Sequence, residues 1–274
     1  MSRFFYGSYT LLALVRINKK RNMKTNYLHN ENCLDTMASM EDNFIDLTIT
    51  SPPYDGLRTY NGYSFPFEDI AKELYRVTKD GGVVVWIVGD ATIKGSETGT
   101  SFRQALFFKE CGFNLHDTMI WNKPNAMPQV DKSRFTQSFE YMFVFSKGKP
   151  NTANPIKTPT KNGGKYLSRG DGNSQNINKA GGNTVAKERI AFNVYNLCVG
   201  GRNNGHPATF PEQLANDHII SWSNEGDLVY DPFMGSGTTA KMAKFNNRNY
   251  IGSEISKEYC KIIEQRLSDT CTLF

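Results

Sequence analysis

From Asn26 onward the apolar positions alternate between two rhythms, one suited to strands and one to helices. Phe44-Ile45-Asp46-Leu47-Thr48-Ile49-Thr50 is apolar and β-branched and is stopped by a double proline, so it predicts a strand delivering a loop. In Phe67–Val77 the apolar residues Ile70, Leu74 and Val77 are spaced as one face of a helix, ended by Lys79-Asp80-Gly81-Gly82. Residues 83–88 form a continuous apolar run up to Gly89-Asp90, the pattern of a strand buried on both faces. A Gly/Ser/Thr loop reaches Thr100, and a helix is expected over 102–110, closed by Gly112. Strands are expected over 118–121 and 141–145. In the last quarter the expectation is a helix over 211–222 with Pro211 in its first turn, a strand over 228–230, a helix over 238–246, a strand over 250–254 and a helix over 257–267. Strands alternating with helices predict an α/β fold with a doubly wound, mostly parallel sheet.

The stretch 147–205 breaks this rhythm. It is rich in Gly, Asn, Lys and Ser and poor in aliphatic residues, and it is too long for a plain connection in a compact core. It is read as an inserted functional segment. It carries ten Lys or Arg against two acids, an excess of eight that exceeds the net +5 of the whole chain. A local basic excess of this kind suits a polyanionic partner. Residues 1–22, with a short apolar patch before a basic run, lack the pattern of a secretory signal and are expected to be a disordered extension. Met23 is read as an alternative translation start. No run is long enough to cross a membrane. Five scattered cysteines without a CxxC pair argue for a reducing compartment, and neither they nor the histidines have metal-ligand spacing, so no metal site is expected.

Two strings carry the chemistry, each after a predicted strand, where an open parallel sheet binds its ligands. In Ser51-Pro52-Pro53-Tyr54 the prolines stiffen the loop and remove two backbone donors. The Ser51 hydroxyl and the Pro52 carbonyl can then accept hydrogen bonds from an exocyclic amine while Tyr54 stacks on the ring. Such acceptors would favour a tetrahedral nitrogen whose lone pair faces an incoming methyl group. In Asp231-Pro232-Phe233-Met234-Gly235-Ser236-Gly237-Thr238-Thr239 the glycines let main chain approach a ligand, and the helix that follows offers free amides to a carboxylate. Glu254, about twenty residues on, stands where an acid can accept from ribose hydroxyls.

Together these residues resemble the amino-methylating DNA methyltransferases, cytosine-N4 and adenine-N6, in the β order with the proline motif first. The resemblance runs from about residue 26 to 267. It implies Ser51, Pro52, Pro53 and Tyr54 as catalytic residues and S-adenosylmethionine as cofactor. The glycine motif supplies Asp231, Pro232, Phe233, Gly235, Ser236, Gly237, Thr238 and Thr239 for that cofactor, and Glu254 its ribose contact. The stretch 206–214 resembles the family's cofactor-pocket element and adds His206, Pro207 and Phe210. Asn32 and Cys33 stand where the family contacts the cofactor adenine, with Glu31-Asn32 in place of the usual Gly-Asp. The stretch 139–147 resembles the strand beside the target base. The resemblance further implies double-stranded DNA as partner, flipping of the target base, and DNA contacts from Arg58, Tyr60, Lys161, Lys165, Arg169 and Arg202. The division is then 1–22 extension, 23–146 catalytic half, 147–205 target-recognition insertion and 206–274 cofactor half. A bacterial or phage cytoplasmic enzyme is implied, and a restriction-modification setting, a cognate endonuclease and a homodimer are all compatible with it. The chain has no Pro-Cys dipeptide, which closes the cytosine-C5 route. Ser51 favours cytosine-N4, since adenine-N6 enzymes usually have Asp or Asn there. Adenine-N6 methylation and, from another class, a non-catalytic DNA-binding module stay as alternatives.

Overall fold

The computed structural model describes residues 23–53, 65–128, 133–168, 182–199 and 210–270. Its elements run β1 (Tyr27–His29), α1 (Cys33–Ala38), β2 (Ile45–Thr50), α2 (Phe67–Val77), β3 (Thr78–Val88), β4 (Thr92–Ile93), β5 (Ser96–Glu97), α3 (Thr100–Glu110), β6 (Asn114–Asn122) and β7 (Phe139–Ser146). After these come β8 (Lys157–Pro159), β9 (Tyr166–Ser168), β10 (Gly182–Thr184), β11 (Glu188–Ile190) and β12 (Val194–Asn196). The chain then forms α4 (Glu212–Trp222), β13 (Leu228–Asp231), α5 (Thr238–Phe245), β14 (Asn249–Ser253) and α6 (Lys257–Ser268).

Eight strands make one sheet in the order β1-β14-β13-β2-β3-β7-β6-β12. Neighbours from β1 to β3 are parallel, β7 is antiparallel to both β3 and β6, and β12 is parallel to β6. Strand periodicity divides the core between the two faces. Val84, Trp86 and Val88 pack with α1, α2 and α3, whereas Val83, Val85 and Ile87 pack with α4 and α5. Apolar residues at every position of this stretch are thus required, because both faces are covered. A smaller cluster joins Ile263 and Leu267 of α6 to Met234 and Ala240.

The chain leaves β2 through α2 to pair β3 on one side, and leaves β13 through α5 to pair β14 on the other. The boundary between β2 and β13 is therefore where the winding reverses, the place at which such sheets open a crevice.

The α/β expectation and its long elements agree with the structure, and the differences have local causes. β3 begins at Thr78, directly after α2, and takes in Gly81 and Gly82 because Thr78 pairs with Ile45 before the register shifts to Leu47–Val83. The six-residue α1 is too short to show periodicity and is announced only by Asn32, whose side chain caps it. Pro211 stands at the N-cap of α4 rather than inside its first turn. Residues 1–22, including the expected extension, lie outside the described residues.

Pro155–Phe192 form a second compact unit, narrower than the stretch 147–205. Within it β8 pairs β11 and β9 pairs β10, both antiparallel. Gly163 permits its turn, since a Cβ there would come 2.7 Å from Lys187 Cα. Val194–Asn196 belongs instead to the main sheet, where Trp121 Nε1 donates to the Leu197 carbonyl at 2.8 Å.

Candidate active site

Register brings the two motif strings side by side. Leu47 and Thr48 of β2 pair Val229 and Tyr230 of β13, so the carboxyl ends of these strands emerge together. Thr50 Oγ1 donates to Asp231 Oδ1 at 2.7 Å, and the Phe233 amide donates to the same oxygen at 3.0 Å. Thr239, in the first turn of α5, donates to the Ile49 carbonyl at 3.3 Å. Asp231 is wholly buried, and burial pushes its carboxyl up to about 6 even though Thr50, Thr239 and the Phe233 amide all favour the anion. The Asp231 carboxylate is thus engaged by the protein itself and shapes the turn that follows it.

That turn is built on glycine. Gly235 and Gly237 have φ of +54° and +81°, angles that side-chain-bearing residues avoid, and Gly237 caps α5. Met234 lies over Gly252 of β14, where a Cβ would come within 1.7 Å of its methyl group. The main chain of the turn is fixed by Met234 N to Ser253 O at 3.0 Å and Gly237 N to Met234 O at 2.8 Å. Glu254, just past β14, accepts from Gly235 N at 2.9 Å and from Ser256 N at 2.8 Å. Burial raises its carboxyl despite these bonds. Each carboxylate oxygen keeps a further lone pair for a ligand hydroxyl. Pro232, Ser236, Thr238 and Thr239 are buried and Phe233 is half-buried, its ring 5.7 Å from Phe65 and 6.4 Å from Trp86.

The neighbouring β1 end is tied in by Glu254 N to His29 O at 3.0 Å and Asn30 Nδ2 to Glu254 O at 2.8 Å. Asn32 accepts from Leu34 N at 2.9 Å as the cap of α1. Burial pushes the adjacent Cys33 thiol up to about 12, so it is an inert core group.

Ser51, Pro52 and Pro53 follow β2 directly, with Pro52 buried and its neighbours half-buried. Tyr54, Arg58, Tyr60, Arg169, Arg202, His206 and Pro207 lie outside the described residues. Phe210 packs against the α4–α5 core, and Lys161 and Lys165 are exposed in the second unit. The structure therefore brings Ser51-Pro52-Pro53 beside the glycine turn and Glu254. Thr50 was part of the strand signal, but nothing in it marked the hydroxyl as a partner for Asp231. Among the described residues no group of three or more His, Cys, Asp or Glu could hold a metal ion, and no helix is long and apolar enough to cross a membrane.

The winding reversal, with hydroxyl and carbonyl acceptors on one side and a glycine turn and an acid on the other, suits a planar amine beside a small donor molecule. Comparison with known proteins identifies the family and the fold. The sequence model of the N6/N4 DNA methylase family matches residues 45–265. The orphan methyltransferase M.BamHII of Bacillus amyloliquefaciens is 58% identical over 239 residues, covering 82% of this chain and 89% of that protein. The type II methyltransferase M.SmaI of Serratia marcescens is 26% identical, over 85% of this chain and 87% of its own. Among solved structures, the cytosine-N4-specific PvuII DNA methyltransferase superposes with a TM-score of 0.70 at 22% identity, covering 92% of this chain and 89% of that one. The complex of M1.HpyAVI with SAM superposes with a TM-score of 0.60 at 23% identity, covering 88% and 98%. At such identities these two structures speak for the fold.

Proposed function

The chain belongs to the N6/N4 DNA methylase family, and we propose that it transfers a methyl group from S-adenosylmethionine to the N4 amine of a flipped cytosine in duplex DNA. The observation that carries this reading is the Thr50–Asp231 bond, which holds Ser51-Pro52-Pro53 next to the glycine turn. The donor supplies an electrophilic methyl group on a sulfonium sulfur.

The remaining work belongs to the chain's own residues. Ser51 Oγ and the Pro52 carbonyl accept the amine hydrogens, which draws the nitrogen lone pair out of conjugation with the ring. Tyr54 supplies a stacking face. Glu254 accepts from the ribose hydroxyls, and the Ser236 amide and those of the α5 amino end receive the donor's carboxylate. Extruding the base costs on the order of a few kcal/mol. Phosphate contacts from the basic stretch 147–205, Lys161 and Lys165 among them, offset this cost.

Cytosine is preferred to adenine because a hydroxyl, Ser51, stands where an amide or carboxylate is usual in the adenine enzymes. The cytosine-N4-specific neighbour is consistent with that preference. Mass spectrometry of nucleosides from DNA methylated by the purified protein tests it: N4-methylcytosine is expected, and N6-methyladenine alone would overturn the choice of base. A protein that takes up no S-adenosylmethionine in calorimetry would instead be a DNA-binding module.

A further inference from the structure

Helix α6 backs the glycine turn at two points one helical turn apart. Ile263 lies so close to Gly237 that a Cβ there would be 3.0 Å from its Cγ2. Arg266 reaches the residue before it: Nη1 donates to the Ser236 carbonyl and, at 2.8 Å, to Ser236 Oγ. Its other arm, Nη2, donates to Glu212 Oε1 at 2.8 Å, and the same oxygen accepts from Lys241 Nζ at 2.7 Å. The turn, α4 and α6 thus meet on one guanidinium, and α5 joins them through the Glu212 carboxylate.

The environment makes these contacts strong. The Arg266 side chain is only 15% exposed and Ser236 is 3% exposed. Burial acts to raise the Glu212 carboxyl, but hydrogen bonds and charge from Lys241 and Arg266 outweigh it and hold the group below the usual carboxylate range. Glu212 is therefore a fixed anion, and the planar fork of Arg266 is oriented by it toward Ser236. The glycines on either side of Ser236 impose little steric restraint of their own. The shape of the turn then depends on outside holds: Asp231 and Glu254 near its start, and Arg266 at its middle.

We propose that Arg266 is a positioning residue for the methyl donor, keeping Ser236 and the head of α4 in the arrangement that receives it. The proposal rests on the reading of the glycine turn as the donor site. Arg266→Met keeps most of the apolar stem and removes both arms of the fork. It should weaken S-adenosylhomocysteine binding in calorimetry about tenfold or more, as expected for a lost charged hydrogen bond. The KM for S-adenosylmethionine should rise in parallel, while kcat at saturating donor stays within about twofold. Arg266→Lys, which can reach one partner at a time, should recover part of the affinity. Unchanged affinity in Arg266→Met would overturn the proposal, as would a fall in kcat and thermal midpoint with no separate loss of affinity. If Arg266→Met does not fold, Arg266→Lys decides: weaker binding supports the role and wild-type binding overturns it. Wild-type protein that binds no S-adenosylhomocysteine would remove the functional reading and this proposal together.

Discussion

Thr50 and Asp231, 181 positions apart in the chain, share a buried 2.7 Å hydrogen bond between the last residues of two neighbouring strands. The next residue after one is Ser51 and the next after the other begins the glycine turn. A disturbance at either member is therefore felt at both motif strings. Thr50→Val should cost about 1–3 kcal/mol of unfolding free energy in urea, because a buried acceptor loses a donor. It should also weaken donor binding and slow turnover, whereas Thr50→Ser should behave nearly as wild type.

Ser51→Ala separates the two sides. The hydroxyl is expected to act on the target amine and not on the donor, so single-turnover methylation should slow by about tenfold or more. S-adenosylhomocysteine affinity from calorimetry should stay close to wild type.

Two buried groups titrate in overlapping windows with opposite sign. Asp231 is raised by burial from 3.8 to about 6, so the folded state holds its proton longer, and its contribution to stability is lost as pH rises from about 4 to 6. His218 is lowered by burial from 6.5 to about 4, so its contribution is lost as pH falls from 6.5 toward 4. The two slopes oppose each other in the wild type. Urea unfolding between pH 4 and 6.5 should show stability rising more steeply with pH in Asp231→Asn, and rising less in His218→Phe. Parallel profiles for both variants and the wild type would contradict these shifts.

Gly237→Ala places a Cβ against Ile263 at 3.0 Å on a backbone with φ of +81°. Destabilisation of more than about 1 kcal/mol is expected from the backbone angle. Loss of donor affinity should exceed what the stability change alone explains, and calorimetry alongside thermal unfolding checks this.

Lys161 and Lys165 are exposed in the second unit, and their proposed role is contact with phosphate. Replacing both with Ala should weaken binding to specific and non-specific duplexes alike. The slope of log K against log salt should fall by about two. Donor affinity should not change.

Much of the fold could be read before the structure. Helix α2 shows its apolar face at a regular spacing, and the run 83–88 is apolar at every position because both faces of the sheet are covered. The glycine turn is legible for a related reason, since positive φ admits few residue types. Elements that hold by a few hydrogen bonds left no such trace. Strand β12 has three residues within a basic, polar stretch and joins the sheet only because β6 offers it an edge. Helix α1 is shorter than two helical turns.

Local periodicity and backbone restriction were thus enough to determine the α/β alternation, the two motif strings and their order along the chain. The tertiary structure decided which distant polar groups complete the site. Thr50, Glu212 and Arg266 are ordinary residues for a strand end and two helices. Their partners Asp231 and Ser236 become neighbours only when parallel strands align and α6 packs on Gly237. Hydrogen bonds across such separations leave no periodic signal, because the chain between their ends is free to vary.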